Sequence, residues 1–202
     1  MHFCMFPSML GQSKGRIYFG GNGMKKRLFF SCCLLFLMAG CDQGKPKEIE
    51  VKLHNASGDE VGTAKVVQQT SGVKITIKGE GFTPGPHGLH VHEIGECKAP
   101  RFESAGNHFN PDDKKHGLLN PKGAENGDLP NVIADGSGKI KAEIDAPHIT
   151  LEEGKTTIHR KDGASIIITE NADDGMTQPT GKSGDRIACG VIVKKASDMK
   201  KK

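Results

Sequence analysis

Gly85-Pro86-His87-Gly88-Leu89-His90-Val91-His92-Glu93-Ile94-Gly95-Glu96-Cys97 carries three histidines between positions 87 and 92 and ends on a cysteine. Successive side chains of a β-strand point to opposite faces, so His90 and His92 share one face and Leu89 and Val91 the other. The stretch therefore predicts a strand with an apolar face for a core. Its other face carries two imidazoles at a spacing that one metal ion can bridge. A polar strand face whose histidines bond only to water has the same local pattern. The deciding evidence lies in what the rest of the chain adds.

Working outward, the strand pattern recurs. Ile49, Val51 and Leu53 alternate with polar residues, and Val61, Thr63, Lys65 and Val67 mark a less regular run. Val73, Ile75 and Ile77 alternate with Lys74, Thr76 and Lys78. Val132 and Ile133 lead into Asp135-Gly136-Ser137-Gly138, a hairpin turn, after which Ile140, Ala142 and Ile144 alternate again. Ala164–Thr169 and Ala188–Val193 are runs rich in β-branched residues. Alternation bounded by Gly, Asn and Asp is the signal of half-buried strands. No window reads as an amphipathic helix. The fold class is all-β, a sandwich or barrel. Beyond residue 41 there is no Trp or Tyr, and the only phenylalanines are Phe82, Phe102 and Phe109. The core must be built mainly of Val, Ile, Leu and Ala.

The N-terminal residues read differently. Met24-Lys25-Lys26-Arg27 is a basic start, Leu28 to Met38 an apolar run, and Ala39-Gly40-Cys41 a small-residue site ending on cysteine. These are the parts of a secretory signal. The run is too short to span a bilayer comfortably. A cysteine at that point predicts acylation of Cys41 and a membrane-anchored, exported lipoprotein. An ordinary cleaved signal or an uncleaved anchor are the alternatives. Residues 1–23 carry no pattern, and either Met1 or Met24 can be the start. The organisation is thus leader and signal 1–41, tether 42–47, domain 48–194 and basic tail 195–202. Residues 1–41 hold five of the 28 basic residues and none of the 24 acidic ones, leaving 23 basic against 24 acidic. The positive net charge belongs to the leader, so it is no argument for nucleic-acid binding.

Two segments do not read as strands. Residues 96–130 and 171–186 are rich in Gly, Pro, Asn and Asp. Loops of such length in a compact domain are usually functional. Cys97 begins the first and Cys189 follows the second. In an exported chain such a pair most simply forms one disulfide, two free buried thiols being the alternative. The first loop also carries His108, His116 and Asp128. Singly, a loop histidine is normally solvated and an aspartate after glycine is normally a turn residue. Together they offer two imidazoles and a carboxylate, a donor set suited to Zn²⁺. Imidazoles on a strand suit copper or zinc better than magnesium or calcium.

The ordered motifs G-x-H-G-x-H-V-H-x-x-G-x-C, A-G-x-H-F-N-P, K-H-G, G-D-L-P-N, A-D-D and G-x-R-I-A-C-G-V-I resemble the copper/zinc superoxide dismutase family, over about residues 48–194. The resemblance implies an eight-stranded antiparallel Greek-key barrel, an immunoglobulin-like sandwich with long metal-binding and electrostatic loops. It implies copper and zinc as cofactors and superoxide as substrate. His90 and His92 resemble copper ligands, His108 the imidazolate bridging copper and zinc, and His116 and Asp128 zinc ligands. Asp173 resembles the carboxylate linking a copper histidine to a zinc histidine. His87 resembles a histidine that ties the strand to nearby backbone. Arg186 resembles the arginine that orients the anionic substrate, and Cys97 and Cys189 the intrasubunit disulfide. Family members differ in oligomeric state, so a homodimer remains open.

Two positions depart from the family pattern. Thr169 stands where another copper histidine is expected, and Glu125 where another zinc histidine is expected. Glutamate ligates zinc readily, whereas threonine is a poor ligand for copper. The expected activity is dismutation at a copper site with an altered ligand set. The alternative is a non-catalytic member of the family that binds zinc or copper. His54, His148 and His159 are the other histidines of the domain, and the last two are expected to be solvated rather than to replace the missing ligand.

Overall fold

The computed structural model describes residues 47–193. The predicted signal, Cys41, the tether up to residue 46 and the basic tail lie outside the described residues. The strands are β1 (Glu48–Asn55), β2 (Glu60–Gln68), β3 (Val73–Gly79), β4 (Gly85–His92), β5 (Asp128–Ala134), β6 (Ile140–Ala146), β7 (Ala164–Thr169) and β8 (Arg186–Ile192). They close a barrel in the order β1-β2-β3-β6-β5-β4-β7-β8, with every pairing antiparallel. The jumps from β3 to β6 and from β4 to β7 make it a Greek key. Among the described residues the one helix is a single 3₁₀ turn, Glu103–Ala105.

Burial follows the period of two. Val51 and Leu53 of β1, Val73, Ile75 and Ile77 of β3, and Ile140 and Ile144 of β6 point inward, their neighbours outward. In β2 the inward residues are Ala64 and Val66, so Thr63, Lys65 and Val67 of the expected run lie on the outer face, while Val61 is half-buried against the core. Lys65 cannot leave water without a partner, and that fixes the phase of the strand. Asp135 Oδ1 accepts the Ser137 and Lys139 amides, closing the expected β5–β6 turn.

β4 and β7 depart from alternation. All six residues from His87 to His92 are buried, and so are all six of β7. One face of β4 meets the core through Leu89 and Val91, while the other is covered by the two long loops. Ile149, Leu151 and Ile158, from the connection between β6 and β7, close one end of the core. His159 in that connection is 5% exposed, so it is not the solvated residue expected, whereas His148 is exposed. The neighbouring Ile158 enters the core and draws His159 in with it.

Cys97 and Cys189 form the expected disulfide, with Cα atoms 5.8 Å apart. It closes a loop of 92 residues, which in the chain-entropy account stabilises the fold by about 4.5 kcal/mol. It also pins the start of the β4–β5 loop to β8.

Candidate metal centre

The site forms where the β4–β5 loop returns alongside β4. Phe109 N donates to Val91 O (2.8 Å), Glu93 N to Asn107 O (3.0 Å), and His92 and His108 form a backbone bridge. Next comes Gly127, whose amide donates to Phe109 O and whose carbonyl accepts Val91 N. A side chain at Gly127 would strike the Val91 carbonyl, so only glycine permits the approach. Asp128 follows at the start of β5, directly across from His90. Loop residues 107–109 and the turn before Asp128 are thus fixed by backbone bonds to the histidine strand.

Three donor groups result. Single ring nitrogens of His90, His92 and His108 lie within 4.8 Å of one another. His108, His116, Glu125 and Asp128 form a second group, and His90, His116 and Asp173 a third. In the second, His108 Nδ1 lies 2.9 Å from Glu125 Oε2 and 3.0 Å from Asp128 Oδ1. His116 Nδ1 lies 2.9 Å from Asp128 Oδ1 and 3.4 Å from Glu125 Oε2. A tetrahedral ion with bonds of ~2.0 Å has edges of about 3.3 Å, so these spacings fit one zinc ion. Glu125 belongs to this group beside the three other donors.

The hydrogen bonds set which nitrogen of each ring is left for metal. His90 Nε2 donates to Asp173 Oδ2 (2.7 Å), so Nδ1 carries the lone pair. That Nδ1 is buried and has no partner. An orphaned buried acceptor is costly, and beside two other imidazoles it fits a metal ligand. His92 Nδ1 donates to Gly106 O (3.0 Å), leaving Nε2. His116 Nε2 lies 3.2 Å from both Asp173 oxygens, leaving Nδ1. Asp173 therefore orients both the His90 and the His116 rings.

Electrostatics separate the halves. Burial pulls His90 below its ordinary pKa despite its bond to Asp173, and pulls His92 lower still with help from the nearby charge of His108. His116 is also buried, but bonds to Asp128, Asp173 and Glu125 outweigh this and push it up to about 11. His108 is raised in the same way by Asp128 and Glu125. Burial works against ionisation of Asp128, Asp173 and Glu125, yet the imidazoles beside them hold all three below the usual carboxylate range. Without metal, protons on the loop histidines stand in for part of its charge.

The other expected residues also find places. His87 sets Nδ1 2.8 Å from Thr169 O and Nε2 2.8 Å from Thr83 O, tying β4 to β7 and to its own approach. Arg186 donates from Nη1 to Phe102 O (2.7 Å) and from Nη2 to Gly106 O (2.8 Å). Gly106 O thus holds both Arg186 and His92. Arg186 lines a cleft of about 410 Å³ with Glu93, His108, Glu125 and Arg160. Thr169 is buried, and Oγ1 donates to Asn171 O (3.2 Å). A methyl group on Gly88 would strike Thr169 Oγ1 and lie 3.1 Å from His90 Cε1. Thr169 therefore stands beside His90, on the side of β4 that carries the imidazoles.

Several supports had no motif to announce them. Gln178 clamps the His116 backbone, accepting its amide (3.1 Å) and donating to its carbonyl (2.8 Å). Asn131 does the same for Asp173, with both bonds at 2.9 Å. Asn126 Nδ2 bonds Asp112 Oδ2 and His148 O, fixing the turn between Glu125 and Asp128. These pair residues 42 and 62 positions apart across loops, and a side-chain amide is too common in loops to single them out.

Comparison with known proteins agrees. A family profile described as copper/zinc superoxide dismutase (SODC) matches residues 60–192. The chain is 40% identical over 161 residues to superoxide dismutase [Cu-Zn] 2 of Aquifex aeolicus, covering 79% of this chain and 93% of that one. It is 39% identical over 176 residues to the superoxide dismutase-like protein YojM of Bacillus subtilis, covering 77% and 90%. Among solved structures, a double mutant of a superoxide dismutase-like protein from Bacillus subtilis, with a tyrosine and a proline each replaced by histidine, matches with a TM-score of 0.70 and 43% identity. That match covers 71% of this chain and 96% of the other. The barrel, the disulfide, the convergent donor groups and these matches have one account: the chain belongs to the copper/zinc superoxide dismutase family, which uses copper and zinc.

Proposed function

We propose that this chain dismutates superoxide, with copper held by His90, His92 and His108 and zinc by His108, His116, Glu125 and Asp128. The observation that carries the reading is the buried, unpartnered His90 Nδ1 among three imidazoles within ligand distance of one another. Copper when bound supplies a one-electron couple, so that two superoxide ions and two protons become dioxygen and hydrogen peroxide. The chain's own residues do the rest. Arg186, held by two carbonyls on the wall of the cleft, attracts and orients the anion. His108 lines the same cleft, and its ring nitrogen on the copper side would hold either the metal or a proton, so it would carry a proton only while not holding copper. Asp173 fixes the His90 ring by its Nε2, so that Nδ1 would be left to hold copper. Glu125 would give zinc a second carboxylate beside Asp128.

Thr169 supports a second reading, a metal-binding member without turnover. Its hydroxyl is engaged with Asn171 O, and copper would have one imidazole fewer than the family pattern offers. Export and acylation at Cys41 complete the proposal, supported by the basic start, the apolar run and the small residues before that cysteine. The deciding experiment is metal analysis of the exported protein with a dismutase assay. We expect copper and zinc to be bound and activity to be measurable but low, with Thr169→His raising copper affinity and activity together. Copper-loaded protein no more active than copper-free protein would leave the metal-binding reading standing.

A further inference from the structure

Arg160 has no place in the family motifs, yet it lines the same cleft as Arg186 and His108. Its guanidinium carbon lies 5.7 Å from the centre of the Phe109 ring, a cation–π contact. That ring is a rigid platform: Phe109 is 1% exposed, and its amide and carbonyl are bonded to Val91 and Gly127. The segment that carries Arg160 is equally fixed. Ile158 is buried, Thr150 and Thr157 form a bridge, and Lys155 Nζ bonds Asp112 Oδ1 (2.8 Å) on the metal-binding loop.

Among the described residues, no carboxylate forms an ion pair with Arg160; the arginine–carboxylate pair present joins Arg101 to Glu103. The acidic groups in the cleft are turned to other work. Glu93 Oε1 accepts the Asn107 amide (3.0 Å), and Glu125 faces His108, His116 and Asn110. Arg186 spends both terminal nitrogens on carbonyls. Arg160 is thus the cleft cation whose guanidinium is uncommitted to any carboxylate, held over the ring of Phe109, the residue that follows His108.

We propose that Arg160 is a second anion-guiding group, acting from the connection between β6 and β7 to draw a small monoanion into the cleft that Arg186 lines. Fixed cations around a concave site raise the local concentration of an anion and its association rate. The assignment of superoxide as that anion rests on the proposed function, whereas the recognition of a small monoanion does not.

Two measurements separate these. The first uses the full chain loaded with zinc alone, labelled with ¹⁵N, and titrated with azide while the arginine Nε–Hε resonances are followed. Arg160 and Arg186 should both shift with one shared midpoint, and Arg160→Glu should weaken the response of Arg186 about fivefold at low salt. An Arg160 resonance that stays still overturns the proposal. The second uses copper-loaded protein. Arg160→Glu should slow dismutation about fivefold at low ionic strength, the difference fading at high salt, with Arg160→Lys close to wild type. An unchanged rate at low salt in an active enzyme also overturns it. Wild-type protein with no dismutation breaks the functional reading instead, and the azide titration then decides Arg160.

Discussion

The two halves of the centre solve the same problem by opposite means. His116, Glu125 and Asp128 sit on loop and loop-end backbone, pair with one another and with His108, and reach near neutrality by protonation. His90 and His92 sit on a strand buried on both faces, are kept neutral by burial, and include a nitrogen with no partner at all. The loop half is electrostatically complete without metal and must lose protons to take it. The strand half is preorganised and unsatisfied. A carboxylate-rich group can relax around its own protons, whereas imidazoles fixed by a sheet cannot.

The sharpest way to break this comparison is to remove one ligand from each half. His92→Ala should lower copper affinity more than about 100-fold and leave zinc within a few-fold, and Asp128→Ala should do the reverse. Isothermal titration with each metal measures both, and equal losses at both sites would refute the division. Asp173→Asn tests what joins the halves. An amide cannot hold two ring N–H groups as a carboxylate does, so both affinities should fall about 10- to 100-fold together. A loss confined to one metal would show that Asp173 serves only one ring.

A smaller effect is expected at Glu125. Glu125→Gln should reduce zinc affinity about tenfold with copper little changed, because the glutamine oxygen still reaches the group without its charge. The smallest effect is on pH. In metal-free protein the raised His116 and His108 contribute stability that is complete below the unfolded pKa and is lost as pH rises. The lowered His90 and His92 lose stability as pH falls below that same unfolded value, and the lowered carboxylates lose theirs at more acidic pH still. Thermal unfolding of the metal-free protein should therefore be most resistant near about pH 6.5. Metal-loaded protein should hold its stability further to the alkaline side, since metal replaces the protons. A maximum at acidic or strongly alkaline pH would mean the histidines carry other charges than these.

Legibility in the sequence followed the same division. The strands with one wet face could be read from alternation, because a lysine on the wrong side has no stable home. β2 was read in the outer phase because Val61 and Val67 outweigh the small Ala64 in the pattern. β4 and β7 lose alternation, and only the motif around His90 and His92 distinguished β4 from an ordinary core strand. His159 escaped because nothing in a histidine's own neighbours says which loop will fold inward. The candidate donors themselves are legible as residue types in order. Gln178, Asn131, Asn126 and Arg160 were not, since each acts on a residue far away in the chain.

The sequence by itself determined the all-β class and the resemblance to the family, and it pointed to the Cys97–Cys189 pair and to departures at Thr169 and Glu125. These are local facts of residue type, order and period. Only the tertiary structure decided that Glu125 meets His108, His116 and Asp128, that Thr169 stands beside His90, and that Arg160 shares a cleft with Arg186. Each depends on how loops cross, and the crossing is set by backbone contacts such as Val91 with Phe109 and Gly127 that no side-chain pattern encodes.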